Sequence, residues 1–397
     1  MPRVLHVNDF PLCFGGGTEV IARRTIELLE KTGWDTRIFT SADLPDEGVT
    51  ARRYLSNPIA ALELTRTLEA FRPDVVHLHN FYHRLSPSVL TAIDRHRRTQ
   101  PLRVVMTAHD FHLVCPNSGG TWFPRREGRL PIDPTRVGGW GYLLSRRWDH
   151  RGMVHSWLRV AQHVWNYRWN SKRRVPEVVI SPSRFLEDML RPIVRETRFV
   201  PHPAPKWTTA PTAIRPATLT WLFLGRLEPE KGLSELLESL PGPLPGNLNV
   251  VGDGSDRARC ESIVSSRGWT DRVRFLGRLS HEEAANAIAG AHVLVVPSRM
   301  VESYGLVIAE ALSLGTNVLA TDLGGSRETI ESAGTGYLFR RGDRDQLLDR
   351  IARIESAFRD GALNRFDASA FFAERSEERY LRQILDVYEG RRSAALS

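Results

Sequence analysis

The chain has 397 residues, 41% of them hydrophobic and 25% charged, with a formal net charge of +8. That length predicts two to three domains with cores of their own, in an ordinary soluble globular protein. No run approaches about 18 uninterrupted apolar residues, so a membrane-spanning helix is not expected, and Cys13, Cys115 and Cys260 are too few and too scattered for a disulfide frame or a zinc site.

The opening Met-Pro-Arg-Val-Leu-His-Val reads as a strand at Val4–Val7 rather than the apolar core of a signal peptide, so a cytoplasmic location is expected. A glycine loop, Gly15-Gly16-Gly17-Thr18-Glu19, leads into a helical pattern over Glu19–Lys31. It is no dinucleotide fingerprint, because it starts well past the strand and Val20 stands where the third glycine belongs. Apolar strands follow at Thr36–Phe39, Val75–Leu78, Val104–Thr107 and Val178–Ser181, with helical patterns between several of them. That alternation predicts a parallel, doubly wound sheet, and 112–140, rich in Gly, Pro and Arg, reads as an irregular excursion from it.

Between Ser145 and Arg174 stand eight basic residues against Asp149 alone, an excess of +7 that nearly equals the whole net charge. Trp148, Trp157, Trp165, Trp169 and Tyr167 are interleaved with them. Such a stretch suits the face of an anionic membrane or acceptor; the competing reading is a surface helix whose tryptophans are core. Nothing in the chain resembles a nucleic-acid module.

Pro201, Pro203, Pro205, Pro211 and Pro216 mark 201–217 as a linker. A second alternating series begins at Leu219. Its strands are expected near 219–224, 247–251, 273–276, 292–296, 317–320 and 337–339, and its helices near 233–240, 256–267, 281–289, 305–314, 325–332 and 344–358. The tail Ala370–Glu389 reads as one last amphipathic helix. The expected architecture is therefore α/β, with two Rossmann-like domains, 1–200 and 218–369, facing across a cleft.

The chemistry concentrates in the second series. The strand over 292–296 ends at Pro297, a polar turn holds Glu302, and Gly305 opens an apolar helix that carries Glu310. Free N–H groups at Gly305, Leu306 and Val307, with the positive end of the helix dipole, form an anion site. A carboxylate one turn inside such a helix suits a ribose diol, so phosphate and ribose together imply a nucleotide. Gly225-Arg226-Leu227-Glu228-Pro229-Glu230-Lys231-Gly232 directly follows the strand 219–224. Arg226 and Lys231 at that strand end suit a diphosphate without a metal, and no Asp-x-Asp motif is read at a strand end.

The Gly225–Gly232 loop and the Glu302-x7-Glu310 pair resemble the family 4 retaining glycosyltransferases of the GT-B fold. Pro73-Asp74-Val75-Val76-His77-Leu78-His79, Thr107-Ala108-His109-Asp110-Phe111, Ile180-Ser181-Pro182-Ser183, Val251-Gly252-Asp253-Gly254 and Gly324-Gly325-Ser326-Arg327-Glu328 match in order, over about residues 3–390. The resemblance implies transfer of a sugar from a nucleotide-sugar donor to a glycan or lipid-linked acceptor, with retention of configuration and no cofactor. It implies that 1–200 hold the acceptor and 218–369 the donor, and that the helix at 370–390 packs back on the first domain. It further implies that Gly16 and Gly17 close over the donor phosphate and that His109 touches the donor sugar.

Glu302 would then anchor sugar hydroxyls and stabilise an oxocarbenium-like transition state, with Arg226 and Lys231 neutralising the departing diphosphate. Asp74 and His77 read as structural, and Cys115 as a small packing residue. The rival readings are an epimerase-like enzyme of the same fold and an inactive donor-binding subunit; the presence of Arg226, Lys231, Glu302 and Glu310 together argues against both.

Overall fold

The computed structural model describes all residues except Gly15, 46–55, 125–129, 134–135, 137–138, 205–212, Asn364, Phe366 and 392–397. Gly15 of the glycine loop, and Pro205 and Pro211 of the expected linker, therefore lie outside the described residues. Two compact units emerge: Met1–Arg126 with Ile132–His202 and Glu377–Ser397, and Pro203–Ser376 with Glu127–Pro131.

The first unit is built on strands β1 (Arg3–Val7), β2 (Asp35–Phe39), β3 (Val75–Leu78), β4 (Arg103–Thr107), β5 (Val178–Ser181) and β6 (Thr197–Phe199). All pair in parallel, in the order β2-β1-β3-β4-β5-β6. β6 was not expected from sequence; its Thr-Arg-Phe is half-buried and lacks the apolar run of the central strands. One sheet face is apolar where the strands enter, with Val4, Val75, Val105 and Val178 packed against Tyr380, Ile384 and Val387. These last three lie on a helix, Glu377–Tyr388, whose buried positions recur at helical spacing.

The expected single tail helix is two, Ser369–Glu374 and Glu377–Tyr388. The break sits at Arg375, which is buried: its Nε donates to Tyr304 Oη at 3.2 Å, Nη2 donates to Ser332 Oγ at 2.7 Å, and its carbonyl accepts from the Ala204 N–H at 2.8 Å. These contacts hold Arg375 in the second unit, so the chain returns to the first at Glu377 rather than near 370.

The second unit carries β7 (Thr220–Leu224), β8 (Asn247–Val251), β9 (Val273–Gly277), β10 (Val293–Val296), β11 (Asn317–Thr321) and β12 (Tyr337–Phe339), parallel in the order β9-β8-β7-β10-β11-β12. Both faces are covered. Trp221, Phe223, Val293 and Val295 enter one apolar cluster, while Leu222, Leu294, Val318 and Ala320 enter the other. Burial on both sides is why these strands read as continuous apolar runs instead of alternating ones. The helices lie within about two residues of their expected positions.

Candidate functional site

In the second unit the strand order reverses between β7 and β10, and the loops after these two strands part there. Such switch points are where open α/β sheets bind ligands. Glycines let the loops stack closely. A Cβ on Gly232, which has φ +75°, would lie 2.0 Å from the Pro297 carbonyl oxygen. One on Gly252, with φ +129°, would lie 1.9 Å from the Gly225 carbonyl. The Arg299 N–H donates to Glu230 O at 2.8 Å and the Leu227 N–H to Asp253 O at 2.9 Å, so the three loops form one wall.

On that wall Lys231 Nζ meets Glu302 Oε1 at 2.7 Å, and Ser298 Oγ donates to the same oxygen at 3.0 Å. Burial alone would raise the Glu302 pKa; Lys231, Ser298 and Arg226 outweigh it and hold the carboxyl below its ordinary range. Glu302 is therefore ionised and the three residues belong to one cluster. Arg226 is exposed, and no carboxylate pairs with it among the described residues. Behind Glu302, the Gly325 N–H donates to its carbonyl at 2.8 Å, and a Cβ on Gly325 would lie 2.5 Å from Ser303 O. The Gly324-Gly325 motif thus backs the Glu302 turn.

Gly305, with φ +86°, caps helix Leu306–Ser313 with no side-chain cap. The helix's own ladder begins with Ile308 and Ala309 donating to Gly305 O at 3.0 and 3.1 Å, so the N–H groups of Gly305, Leu306 and Val307 precede it. One turn inside, burial pushes Glu310 up to about 7. Asp343-Arg344-Asp345 does have Asp-x-Asp spacing just after β12, but the Asp343 carboxylate is spent capping helix Arg344–Arg359, accepting the Gln346 N–H at 3.0 Å.

In the first unit, His109 follows β4 and belongs to a chain of buried imidazoles. His6 Nδ1 lies 3.0 Å from His79 Nε2, and His79 Nδ1 lies 3.0 Å from His109 Nε2. His77 is held between Thr107 Oγ1 and Tyr388 Oη, both at 2.7 Å. Burial keeps the chain neutral, with His6 lowered to about 3 and His109 to about 4. Among the described residues His6, His77 and His79 are the group with metal-ligand spacing, their ligand atoms within 4.8 Å of one another. Apart from His6 Nε2, however, their ring nitrogens are already engaged in these hydrogen bonds. Gly16 is the N-cap of helix Gly17–Glu30, and a Cβ on it would lie 2.4 Å from Glu19 Oε2, because Glu19 folds back to accept from Asn8 Nδ2 at 3.0 Å. That helix start therefore already has a carboxylate beside it.

The basic stretch forms helix Met153–His163, prolonged by a π-helical turn, Val164–Trp169. Its interleaved aromatics divide: Trp148 and Tyr167 are buried, while Trp157, Trp165 and Trp169 are 53%, 57% and 76% exposed. With Val154 and Leu158, also exposed, they make one outward stripe. Trp157 Nε1 reaches Leu144 O at 3.4 Å and Arg168 sits 5.0 Å over the Trp140 ring, which extends the stripe onto helix Trp140–Ser145. Asp149, the one acidic residue of the stretch, takes Arg151 at 2.9 Å and Arg159 at 2.6 Å, and the excess of +7 remains.

Sequence reasoning did not find Ser298 as a Glu302 partner, nor the links from His6 and His79 to His109. The strand periodicity held one signal: His77 lies in β3 with His79 two positions on, just past its end, and His6 pairs with His77 across β1 and β3.

Two parallel-sheet α/β units of six strands each make the GT-B fold, and the second carries a switch-point wall of cations beside a carboxylate and an open helix start. Residues 210–361 match the glycosyl transferases group 1 family. The phosphatidyl-myo-inositol mannosyltransferase of Mycobacterium leprae is 36% identical over 141 residues, covering 34% of this chain and 37% of that protein. The alpha-D-kanosaminyltransferase of Streptomyces kanamyceticus is 29% identical over 137 residues, 34% of this chain and 35% of that one. The matched stretch thus spans little more than a third of these curated relatives. Among solved structures, sucrose-phosphate synthase of Thermosynechococcus elongatus superposes with a TM-score of 0.71 at 20% identity, over 98% of this chain and 99% of that one. HepE of Anabaena in complex with UDP-glucose gives a TM-score of 0.64 at 16% identity, over 98% of this chain and 100% of that one. Both structural likenesses concern the fold.

Proposed function

We propose that the protein is a retaining glycosyltransferase that moves a sugar from a nucleotide-sugar donor to a glycan or lipid-linked acceptor without a metal. The observation that carries this is the Arg226–Lys231–Glu302 cluster at the switch point of a group 1 transferase domain. In the proposed reaction the bond from the anomeric carbon to the diphosphate oxygen breaks. The acceptor oxygen bonds to that carbon on the same face, and the departing phosphate takes the acceptor's proton. Arg226, Lys231 and the N–H groups of Gly305, Leu306 and Val307 stabilise the charge on the leaving group, and Glu302 the positive charge on the sugar. Glu310 accepts the ribose diol. His109 is assigned to the donor sugar by the resemblance alone. Turnover of UDP-, GDP- and ADP-sugars, with and without acceptors, tests the reading. Release of nucleotide from none of them by the folded protein would remove it. Activity is expected to survive a chelator; loss that only Mg²⁺ or Mn²⁺ restores would refute the metal-free assignment.

The acceptor is proposed to be presented at an anionic membrane surface. No helix among the described residues is long and apolar enough to cross a membrane. The support is the outward stripe of Trp157, Leu158, Trp165 and Trp169 beside Arg168, Lys172, Arg173 and Arg174. The phosphatidyl-inositol acceptor in the relatives' names points the same way. Each basic side chain near such a surface contributes about 1 kcal/mol, screened within roughly a Debye length. Cosedimentation should need anionic vesicles and weaken with salt. It should be lost both when Arg146, Arg147, Arg168, Lys172, Arg173 and Arg174 become Ser and when Trp157, Trp165 and Trp169 do. Equal pelleting of all three proteins would refute the assignment.

A further inference from the structure

The π-helical turn Val164–Trp169 sends Asn166 and Tyr167 inward while Trp165 and Trp169 face out. Turns of this width are rare and frequently sit at functional sites. Inside it lies a small pocket, about 10 Å³ and so wide enough for one hydroxyl-sized group, lined by Tyr82, His112, Arg159, His163, Asn166 and Tyr167. Tyr82 is 2% exposed, and His163 and Tyr167 are each 3% exposed. Yet Tyr82 Oη and Tyr167 Oη have no hydrogen-bond partner among the described residues, while His112 Nδ1 lies 3.7 Å from Asp110 Oδ2 and His163 lies against the His112 backbone. Buried polar atoms are nearly always paired, and two unpaired phenol oxygens at one pocket point to a ligand that pairs them.

The chemistry of the lining selects that ligand. A phenol both donates and accepts, and so does a neutral imidazole. Burial holds His163 neutral, lowered to about 3, and raises Tyr82 and Tyr167 well above their ordinary range. Two cations stand near the pocket, and each has a partner. Arg159 Nε donates to Asp149 at 2.6 Å, and Lys172 Nζ donates to Asn166 Oδ1 at 2.9 Å. Phosphate offers only acceptors and favours a cation, whereas hydroxyl groups match the donor-and-acceptor lining.

We infer that this pocket binds the hydroxyl-bearing edge of a polyol or sugar ring, the polar end of the acceptor. The word acceptor rests on the transferase reading; the binding site does not. The same helix turns an apolar stripe outward and the pocket inward, which suits a ring attached to a lipid.

Saturation-transfer NMR with myo-inositol, methyl α-D-glucopyranoside and inorganic phosphate, without any donor, tests this on the full chain. The two ring probes should receive saturation with the weak, millimolar affinity that so small a ligand allows. Tyr82→Phe with Tyr167→Phe should weaken binding about tenfold, the scale of one or two neutral hydrogen bonds, while thermal unfolding shows the variant folded. His163→Gln, which keeps a donor and an acceptor, should keep most of the binding. Displacement of the rings by phosphate would make the pocket an anion site and overturn the inference. Equal ring binding by the wild type and the tyrosine variant, or no ring binding at all, would also overturn it. A wild type that binds the rings but turns over no nucleotide sugar removes the transferase reading and leaves the pocket standing.

Discussion

Lys231→Ala is expected to lower donor turnover by about 10²-fold or more, the usual scale for losing a group that stabilises transition-state charge. Arg226→Ala should do the same, but the two variants should differ in a second respect. Lys231 is the direct partner of Glu302 at 2.7 Å, whereas Arg226 is exposed and acts on Glu302 from farther away. Removing Lys231 leaves a largely buried carboxylate with weaker compensation, so its pKa should rise. The Lys231→Ala rate should therefore fall further as pH is lowered below neutrality, while the Arg226→Ala rate should keep the wild-type pH profile on that side. Near wild-type turnover in either variant would show that the phosphate site has been misplaced.

The pairing also changes what donor binding requires. The ammonium that the sequence assigned to the diphosphate is in the structure the counter-ion of Glu302. In the proposed reaction a diphosphate arriving at Lys231 would weaken that pair and free Glu302 to meet the sugar hydroxyls and the positive charge that develops. In this account the Lys231–Glu302 pair keeps a buried carboxylate ionised until the donor takes its place.

The two glutamates should separate cleanly in kinetics. Glu302→Gln should lower the rate by about 10²-fold with donor still bound, and Glu310→Ala should weaken donor binding, because one acts on the transition state and the other on the ground state. Their titrations add a test with a definite sign. Burial raises Glu310 to about 7 in the free protein, and a ribose diol donating to it favours the ionised form. Donor affinity should therefore fall as pH drops below 7, by up to about tenfold per unit, and level off above it. In Glu310→Gln the dependence should vanish. Glu302, held below the ordinary carboxylate range, should contribute no such slope near neutrality. Calorimetric titration with donor from pH 5.5 to 8 reads all of this, and a flat wild-type profile would refute the ribose assignment.

Much of the molecule was legible in the residues. Central strands of a parallel sheet are buried on both faces, so Val75–Leu78, Val178–Ser181 and Val293–Val296 stand out as apolar runs with sharp ends. The motif loops were legible too, since glycines such as Gly232, Gly252 and Gly325 occupy places where a neighbouring carbonyl leaves no room for a Cβ. β6 and the break at Arg375 were not legible: one is a half-buried edge strand, and the other follows from contacts to Tyr304 and Ser332, far away in sequence.

The same reason divides the sites. Residue type and spacing were enough to single out Arg226, Lys231, Glu302 and Glu310 and to imply a nucleotide. Only tertiary structure joined Lys231 to Glu302 across 71 positions and His79 to His109 across 30, and only it brought Tyr82 to Tyr167 across a shared pocket. It also decided which tryptophans of the basic stretch are core and which are surface, because that depends on how a π-helical turn rotates the side chains. The sequence by itself determined the sheets, the turns and the identity of the charged groups, since these depend on local backbone preference and on burial of whole strands. Which charged groups neutralise one another, and which polar groups remain for a ligand, was set by distances between residues remote in the chain, and no local pattern records those.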